Sequence, residues 1–227
     1  GFEACMEQQR KMGRENWKGS GVAGISELYK LIHNRGVTTS FTGYTELASS
    51  ATVTALVRDG VEVTSLSAGD LGELICDITP FYGESGGQAG DTGSITADTA
   101  QLEVTATSRP FTDLVVHQVL VQEGSIGIGD RVKLTVAIDE RKATARNHTA
   151  THLLQSALRN LLGEHIKQAG SLVDPERLRF DFSHFTAMTT DELQQVEALV
   201  NGWIMDNSPL VVCEMGMQEA MESGATA

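Results

Sequence analysis

The chain has 227 residues, of which 41% are hydrophobic and 21% charged, as in an ordinary globular protein with one large domain or two modest ones. Acidic residues outnumber basic ones by 30 to 17, and a formal charge of -13 excludes a protein that binds a polyanion over its whole surface. Any contact with RNA must therefore be local, or be supplied mainly by a neighbouring domain. No run approaches the ~18 apolar residues of a membrane span and no signal segment opens the chain, which makes the cytoplasm the default location.

The cysteines indicate neither a disulfide framework nor a CxxC zinc motif. Cys5, Cys76 and Cys213 are odd in number and widely spaced, whereas both kinds of site need closely patterned pairs. We therefore expect them to be buried thiols.

The first 36 residues are predicted to be helical. A short helix is expected to begin at a Ser26 cap, run through Ile32 and end at Gly36. The chain opens on Gly1 rather than Met and still reads as packed where it stops, which predicts a piece of a longer protein. Before the Ser26 cap, residues 1–18 form an amphipathic pattern with a period near 3.6, carried by Phe2, Cys5, Met6, Met12 and Trp17.

From about residue 37 to residue 138 the pattern changes to short, alternating, β-branched segments separated by Gly and Asp. The pair Asp59-Gly60 is a strong hairpin signal, because both residues tolerate the positive φ of a type I′ turn. No long helix intervenes, which favours an antiparallel β-barrel over a parallel sheet. The predicted strands are residues 51–58, 61–67, 71–79, 94–96, 101–107, 114–122 and 131–138.

The remaining residues predict an α+β unit that is cut short. Residues 140–162 have the apolar stripe of one long helix that ends at Gly163. Two paired strands with an Asp174-Pro175 turn, a helix capped by Thr189 or Thr190, a short strand and a last helix follow. These elements are predicted at residues 166–173, 178–182, 191–206, 211–214 and from 218 onward.

The sharpest local pattern is a pair of histidines near the start of the long helix. His148 and His152 are four residues apart, so both imidazoles lie on one helix face and can reach one metal ion. Zn²⁺ takes four ligands, or three and a water, and no Cys or Glu stands at a motif distance from this pair. The alternative is two unrelated helix histidines, and alone the pair is half a site. Packing or surface roles are expected for the unpaired His117, His165, His184, Cys76 and Cys213.

Residues 79–93 contain five glycines, which permit backbone conformations closed to other residues and close approach of a ligand or a strand. The pattern alone favours a tight structural loop between strands. The short run Gly-Gly-Gln also occurs in peptide release factors, where the glutamine serves peptidyl-tRNA hydrolysis. Further on, alternation in residues 178–182 indicates core packing, and the pattern gives Gln168 no visible role.

Taken together and in order, these segments resemble the editing region of alanyl-tRNA synthetases and of the related freestanding alanyl-tRNA deacylases. The opening helix resembles the one that closes the aminoacylation half of the synthetases, and it favours them over the deacylases. The resemblance is carried by Thr79-Pro-Phe-Tyr82, Glu84-Ser-Gly-Gly-Gln88, Gly90-Asp91, Arg146-Asn-His-Thr-Ala-Thr-His152, Gly170-Ser-Leu-Val173 and Leu178-Arg-Phe-Asp-Phe-Ser-His184.

The resemblance implies a zinc site held by the histidine pair and by a Cys and a His of a later Cys-Gly-Gly-Thr-His segment. Here His148 and His152 match, while the later pair would lie beyond Ala227, so we expect this chain to hold zinc weakly or not at all. The resemblance also assigns Thr151 and Gln168 to the amino-acid pocket, as candidates for catalysis. It places a substrate-binding loop beside that pocket, formed here by Gly86, Gly87 and Gln88.

The implied parent is an alanine–tRNA ligase with tRNA(Ala) and alanine as partners, whose ATP- and Mg-dependent half lies upstream of Gly1. A pocket shaped for alanine cannot strongly reject glycine or serine, so errors must be removed after transfer. The implied editing reaction hydrolyses the ester of Ser or Gly on the tRNA, with Zn²⁺ able to orient the substrate or polarise a water.

The implied fold is α+β in three parts: a helical segment over residues 1–36, a translation-protein-like antiparallel β-barrel over 37–139, and a truncated editing domain over 140–227. Two alternatives are a freestanding deacylase and a non-catalytic tRNA-docking module, to which the barrel could belong. The compact basic cluster that would bind RNA is Arg141, Lys142 and Arg146.

Overall fold

A computed structural model describes residues 26–209, 211, 213 and 215–224. The amphipathic helix predicted for residues 1–18 lies outside these ranges. The first described helix, α1 (Glu27–Asn34), begins as predicted: the Ser26 hydroxyl accepts a hydrogen bond from the amide of Leu28 at 3.3 Å. The helix runs two residues further than predicted, and Gly36 follows it with φ of 85°.

Ten strands follow α1: β1 (Ser40–Phe41), β2 (Ala48–Arg58), β3 (Val61–Val63), β4 (Ser65–Ser67), β5 (Leu71–Cys76), β6 (Ile78–Thr79), β7 (Gly93–Thr96), β8 (Ala100–Phe111), β9 (Leu114–Gly127) and β10 (Arg131–Val136). Six of them close into the predicted antiparallel barrel, in the order β10-β7-β8-β9-β5-β2, with β10 pairing back onto β2. Closure leaves these six strands with neighbours on both sides and removes the free edge that an open sheet would expose.

The prediction of one continuous strand over residues 71–79 was wrong, because the chain is divided at Asp77 into β5 and β6. The Asp77 carboxylate accepts a hydrogen bond from the amide of Thr52 at 2.7 Å and so replaces a backbone partner of β2. Past this break, β6 pairs in parallel with β1 instead. The strand predicted for residues 61–67 is likewise two strands, β3 on β2 and β4 on β9.

The barrel interior is the main core, and it is filled by alternating residues such as Leu56, Leu74, Ile95 and Leu134, all fully buried. A second cluster lies between the barrel wall and α1, where Ile32 packs on outward-facing side chains of β2, β5 and β9. Because α1 covers this part of the wall, β2 is buried on both faces near its end.

The second half has the predicted α+β character. Helix α2 (Ile138–Leu162) packs on a hairpin of β11 (Gln168–Val173) and β12 (Leu178–Phe182), and on α3 (Thr190–Asp206), around Ala157, Leu158, Ile166 and Val196. Thr189 caps α3 in a capping box with Glu192, and α4 (Met217–Glu222) follows. Of the strand predicted for residues 211–214, Val211 and Cys213 are described and lie in no strand; the other two residues lie outside the described part.

Across the described part of the chain, no helix is both long and apolar enough to cross a membrane.

Candidate functional site

The two histidines of the HxxxH pattern stand side by side on α2. Their ring centroids are 5.0 Å apart and the ring planes are inclined by 20°. Packing around the His148 ring lowers its pKa, and the nearby charge of a protonated His152 lowers it further, so the neutral form is favoured. Neutral imidazole is the form that binds metal ions. Within the described residues, no group of three or more His, Cys, Asp or Glu side chains is placed to hold a metal, so the pair supplies two of the usual four ligands.

The glycine-rich loop, residues 79–93, contacts the histidine pair. The sequence pattern alone did not predict this contact. The side-chain oxygen Oε1 of Gln88 lies 2.7 Å from Nδ1 of His148. The backbone of the loop also joins the end of β11: Val173 N–H donates to the carbonyl of Gly87 at 2.8 Å, and Ala89 N–H donates to the carbonyl of Val173 at 2.9 Å. The loop therefore links the barrel, the histidine helix and the β11–β12 hairpin at one place.

Gly87 is the residue that permits this close approach. Its φ is +83°, and a Cβ built there would lie 2.4 Å from the carbonyl oxygen of Ser171 on β11. Gly86, next to it, has φ of +60° but open space around its Cβ position. The two glycines thus share a left-handed backbone, and only Gly87 also faces a neighbouring strand.

Replacing Gly87 with Ala is therefore expected to cost more than the same change at Gly86. Gly86→Ala should lower the free energy of unfolding by about 1–2 kcal/mol through backbone conformation alone. Gly87→Ala should lose about 1–3 kcal/mol more, because the loop must move off β11. Urea unfolding of the two variants measures the difference, and equal losses would contradict the packing of Gly87 on Ser171.

Arg141 anchors α2 to both ends of the loop. Its guanidinium forms a two-point ion pair with the carboxylate of Asp91, which is only 7% exposed. It also donates to the carbonyls of Gly43 at 2.9 Å and Pro80 at 2.8 Å. Asp91 in turn accepts from the amide of Tyr82. Four of the five N–H donors of Arg141 are thus committed to protein acceptors.

The prediction that Arg141 contacts RNA therefore conflicts with its position in the fold. Its side chain is 17% exposed and holds two parts of the chain together, so little of the charge faces solvent. Lys142 and Arg146, predicted for the same role, are both exposed. For these two residues, RNA binding stays a prediction.

Thr151, one of the two predicted catalytic residues, is 6% exposed on the helix face that carries the histidines. Its hydroxyl donates to the carbonyl of Asn147 at 2.8 Å, one turn earlier. Because the single hydroxyl hydrogen is used there, the lone pairs of the oxygen remain, and Thr151 can accept a hydrogen bond from a ligand.

Gln168, the other predicted residue, lies exposed at the start of β11, where its Nε2 donates to the hydroxyl of Ser171 at 3.2 Å. No hydrogen bond in the described residues joins Gln168 to Thr151 or to either histidine. The connection is indirect: Ser171, the partner of Gln168, lies against Gly87, and the next residue of the loop, Gln88, contacts His148. The structure therefore places Gln168 on the hairpin that borders the loop.

Sequence reasoning gave no role to three residues that shape this site, although the quoted motifs contain them: Asn147, Ser171 and Asp91. The side chain of Asn147 donates to the carbonyl of Asp174 at 2.8 Å and so ties the helix to the hairpin turn. The contact of Asn147 joins residues 27 positions apart, so no local signal could have indicated it. No local pattern could have paired Asp91 with Arg141, fifty residues away.

Three further histidines, for which packing or surface roles were expected, lie apart from this cluster. His117 is fully buried in the barrel, with Nδ1 2.9 Å from the carbonyl of Leu74 and Nε2 2.8 Å from the Thr79 hydroxyl, and burial lowers its pKa to about 4. His165 and His184 form a pair that sequence spacing did not predict, with Nε2 of the first 2.9 Å from Nδ1 of the second. All three side chains thus have hydrogen-bonding partners away from the HxxxH pair.

The thiols agree only in part with the expectation of burial. Cys76 is fully buried in the barrel, where burial raises the pKa of its thiol. Cys213 is exposed, so the expectation of a buried thiol was wrong there. Neither Cys213 nor the described residue Val211 lies in a strand, and Cys5 lies outside the described residues.

Comparison with known proteins identifies the family. The model of the family "tRNA synthetases class II (A)" matches residues 1–141, more than half of the chain. The chain belongs to the class II (A) tRNA synthetases. The match includes the barrel, the glycine-rich loop and the first residues of α2.

Curated relatives confirm the resemblance to alanyl-tRNA synthetases. The chain is 48% identical over 228 residues to an alanine–tRNA ligase of Magnetococcus marinus, and 45% identical over 230 residues to an alanine–tRNA ligase of Desulfosudis oleivorans. Each alignment covers all of this synthetase chain but only 26% of the relative. The chain thus spans about a quarter of the length of the curated relatives that it matches.

Proposed function

We propose that this chain is part of an alanine–tRNA ligase, and that it belongs to the module of the parent that hydrolyses Ser-tRNA(Ala) and Gly-tRNA(Ala). The observation that carries the proposal is the hydrogen bond between Gln88 and His148. It brings the glycine-rich loop to the histidine pair on α2, beside a hairpin that bears Gln168. Alanine activation, with ATP and Mg, belongs to a different part of the parent in this proposal.

The need for such a site follows from the size of alanine. A pocket that accepts a methyl side chain cannot strongly exclude glycine, which is smaller, and it discriminates only modestly against serine, which adds one hydroxyl. Hydrolysis at a second site removes the ester after transfer. The substrate is therefore the misattached amino acid at the 3′ end of the tRNA, and water is the other reactant.

The residues present fit a zinc ion as two of its ligands, since the two imidazoles stand side by side on one helix face and the lowered pKa of His148 favours its metal-binding neutral form. When bound, zinc would supply a Lewis acid that polarises an ester or a water. His148 and His152 would hold it, and the remaining ligands would come from elsewhere in the parent. Gly86, Gly87 and Gln88 would border the substrate from the barrel side.

Thr151 binds and orients rather than attacks. Its hydroxyl hydrogen already binds the carbonyl of Asn147, so the oxygen would accept a hydrogen bond from the amino group or hydroxyl of the bound amino acid. Nucleophilic attack by Thr151 would require a base beside it, and among the described residues no His, Asp or Glu side chain is hydrogen-bonded to its hydroxyl. Gln168, which uses Nε2 on Ser171, keeps Oε1 as a second acceptor for the substrate.

A deacylation assay that compares this chain with the full-length parent tests the proposal. We expect the parent to release labelled serine from Ser-tRNA(Ala). We expect the chain alone to be nearly inactive and to retain less than one zinc after dialysis, because two ligands bind zinc weakly. No hydrolysis of either mischarged tRNA by the parent would refute the proofreading role, and stoichiometric zinc in the chain alone would refute the expected lack of metal.

Contact with tRNA is proposed for the two exposed cations of the basic cluster, Lys142 and Arg146. Replacing both with Ala in the parent should weaken tRNA(Ala) binding and flatten its salt dependence by roughly one unit of slope for each phosphate that is no longer neutralised. The matched control is the double variant Lys30→Ala and Arg35→Ala, which removes the same charge from α1 and the residue that follows it. Equal slopes in the two double variants would exclude Lys142 and Arg146 from the interface.

A further inference from the structure

The Gln88 side chain presents its amide oxygen, which can only accept a hydrogen bond, to one ring nitrogen of His148. Oε1 of Gln88 lies 2.7 Å from Nδ1 of His148, so Nδ1 carries the hydrogen and donates it. In a neutral imidazole this leaves the lone pair on Nε2, at the other side of the ring. We propose that Gln88 is a positioning residue that holds His148 in the Nδ1–H tautomer, so that Nε2 is the atom offered to a metal ion. The inference rests on the proposed function, in which His148 and His152 share zinc.

Gln88 can impose this choice because its backbone is fixed. Its own amide donates to the carbonyl of Ser85 at 3.0 Å, and on either side Gly87 and Ala89 are hydrogen-bonded to Val173 of β11. The side chain therefore starts from a defined point of the loop beside β11. Its oxygen already lies against His148.

Another contact, nearer the start of α2, also holds the loop to the helix. Asp91, three residues beyond Gln88, forms the ion pair with Arg141, which lies about two turns before His148 on α2. The Gln88–His148 hydrogen bond is thus a second contact between the loop and α2, which the ion pair already joins. A motion that carries the whole loop away from α2 would have to break this buried ion pair as well.

The ring of His148 also contacts the second histidine of the pair. The described residues offer His152 no hydrogen-bond partner, but its ring is stacked on His148 at 5.0 Å. Holding one ring in place therefore limits the rotation of the other. Metal-binding histidines usually donate their second N–H to an outer acceptor that fixes tautomer and orientation, and Gln88 provides that acceptor for His148.

The chemistry of position 88 makes the proposal specific. If the amide presented its nitrogen, Nδ1 would have to accept, and the hydrogen would move to Nε2, where it blocks the metal. A carboxylate at the same position can only accept, and a leucine can do neither. Gln88→Glu should therefore retain the Nδ1–H tautomer, while Gln88→Leu should lose the preference for it.

The test is a long-range ¹H–¹⁵N spectrum of the labelled chain at about pH 8.5, roughly two pH units above the ordinary pKa of imidazole. We expect a protonated Nδ1 and an unprotonated Nε2 at His148 in the wild type and in Gln88→Glu. In Gln88→Leu the population of the Nε2–H tautomer of His148 should increase. Gln122→Leu, a change of the same type on the far strand β9, should leave the His148 signals unchanged, and thermal melting checks that each variant is folded.

Zinc titration of the same variants connects the tautomer to the metal. Gln88→Leu should raise the dissociation constant for Zn²⁺ by about 10-fold or more, as for loss of other outer acceptors, and Gln88→Glu should not. An Nε2–H tautomer in the wild type, or a His148 spectrum unaffected by Gln88→Leu, would overturn the inference. Zinc binding that survives replacement of both His148 and His152 by Ala would instead refute the zinc site of the proposed function, whatever the tautomer.

Discussion

Replacing Arg141 with Ala is expected to lower the free energy of unfolding by about 3–5 kcal/mol, because the change leaves the Asp91 carboxylate buried without its partner. Asp91 is 7% exposed and the Arg141 side chain 17%, so little water can replace the ion pair. The carbonyls of Gly43 and Pro80 lose a donor in the same step. Urea unfolding followed by circular dichroism measures the change in stability.

Lys142→Ala is the matched control for Arg141→Ala, since it removes the same charge from the next residue of α2. Lys142 is exposed, and its replacement should change the free energy of unfolding by no more than about 0.5 kcal/mol. A double replacement, Arg141→Met with Asp91→Leu, should recover part of the stability, because no charge is then left buried. A small effect of Arg141→Ala, similar to that of Lys142→Ala, would show that the ion pair does not join the helix to the barrel.

Replacing His152 with Ala in the full-length parent is expected to remove bound zinc and to slow hydrolysis of Ser-tRNA(Ala) by about 100-fold or more. Loss of an outer partner already costs about 10–100-fold in metal affinity or activity, and His152 is proposed to bind the metal directly. Attachment of alanine should continue at its normal rate, since that reaction is assigned to another part of the parent. Metal analysis and release of labelled serine are the two measurements.

His165→Ala is the control for the loss of one imidazole. His165 lies just beyond the end of α2, where it pairs with His184 and not with the HxxxH pair. Its replacement should leave zinc bound. If His152→Ala retained one zinc per chain, or if both histidine variants lost zinc equally, the assignment of the metal to His148 and His152 would be wrong.

Most secondary structure could be predicted because its signals are local. The Ser26 and Thr189 caps, the Asp59-Gly60 turn and the stop at Gly163 each act within a few residues, and all four lie where the sequence pattern predicts. The barrel followed from alternation without intervening helices. Its strands β8 and β9 were predicted too short. The end of β8 continues past a register shift against β9, and the end of β9 continues by pairing with β4, and neither contact is visible in the local pattern.

The failed predictions involve contacts made at long range. The strand break at Asp77 depends on the amide of Thr52, which the barrel brings to it. The ion pair of Arg141 was missed for the same reason: a basic residue beside Lys142 looks like part of an exposed cluster until Asp91 is placed against it. The strand predicted for residues 211–214 relied on β-branched residues alone, and no partner strand accompanies its described residues.

By itself the sequence determined which residues share a face: His148, Thr151 and His152 lie together because a helix repeats every 3.6 residues, and the glycines of the loop permit close approach wherever it lies. Only the tertiary structure decided what that face meets. Gln88 reaches His148 across sixty residues because the closed barrel and the Asp91–Arg141 ion pair bring the loop onto α2. A local period determines the direction of a side chain within its own element, whereas the partner depends on how the elements pack.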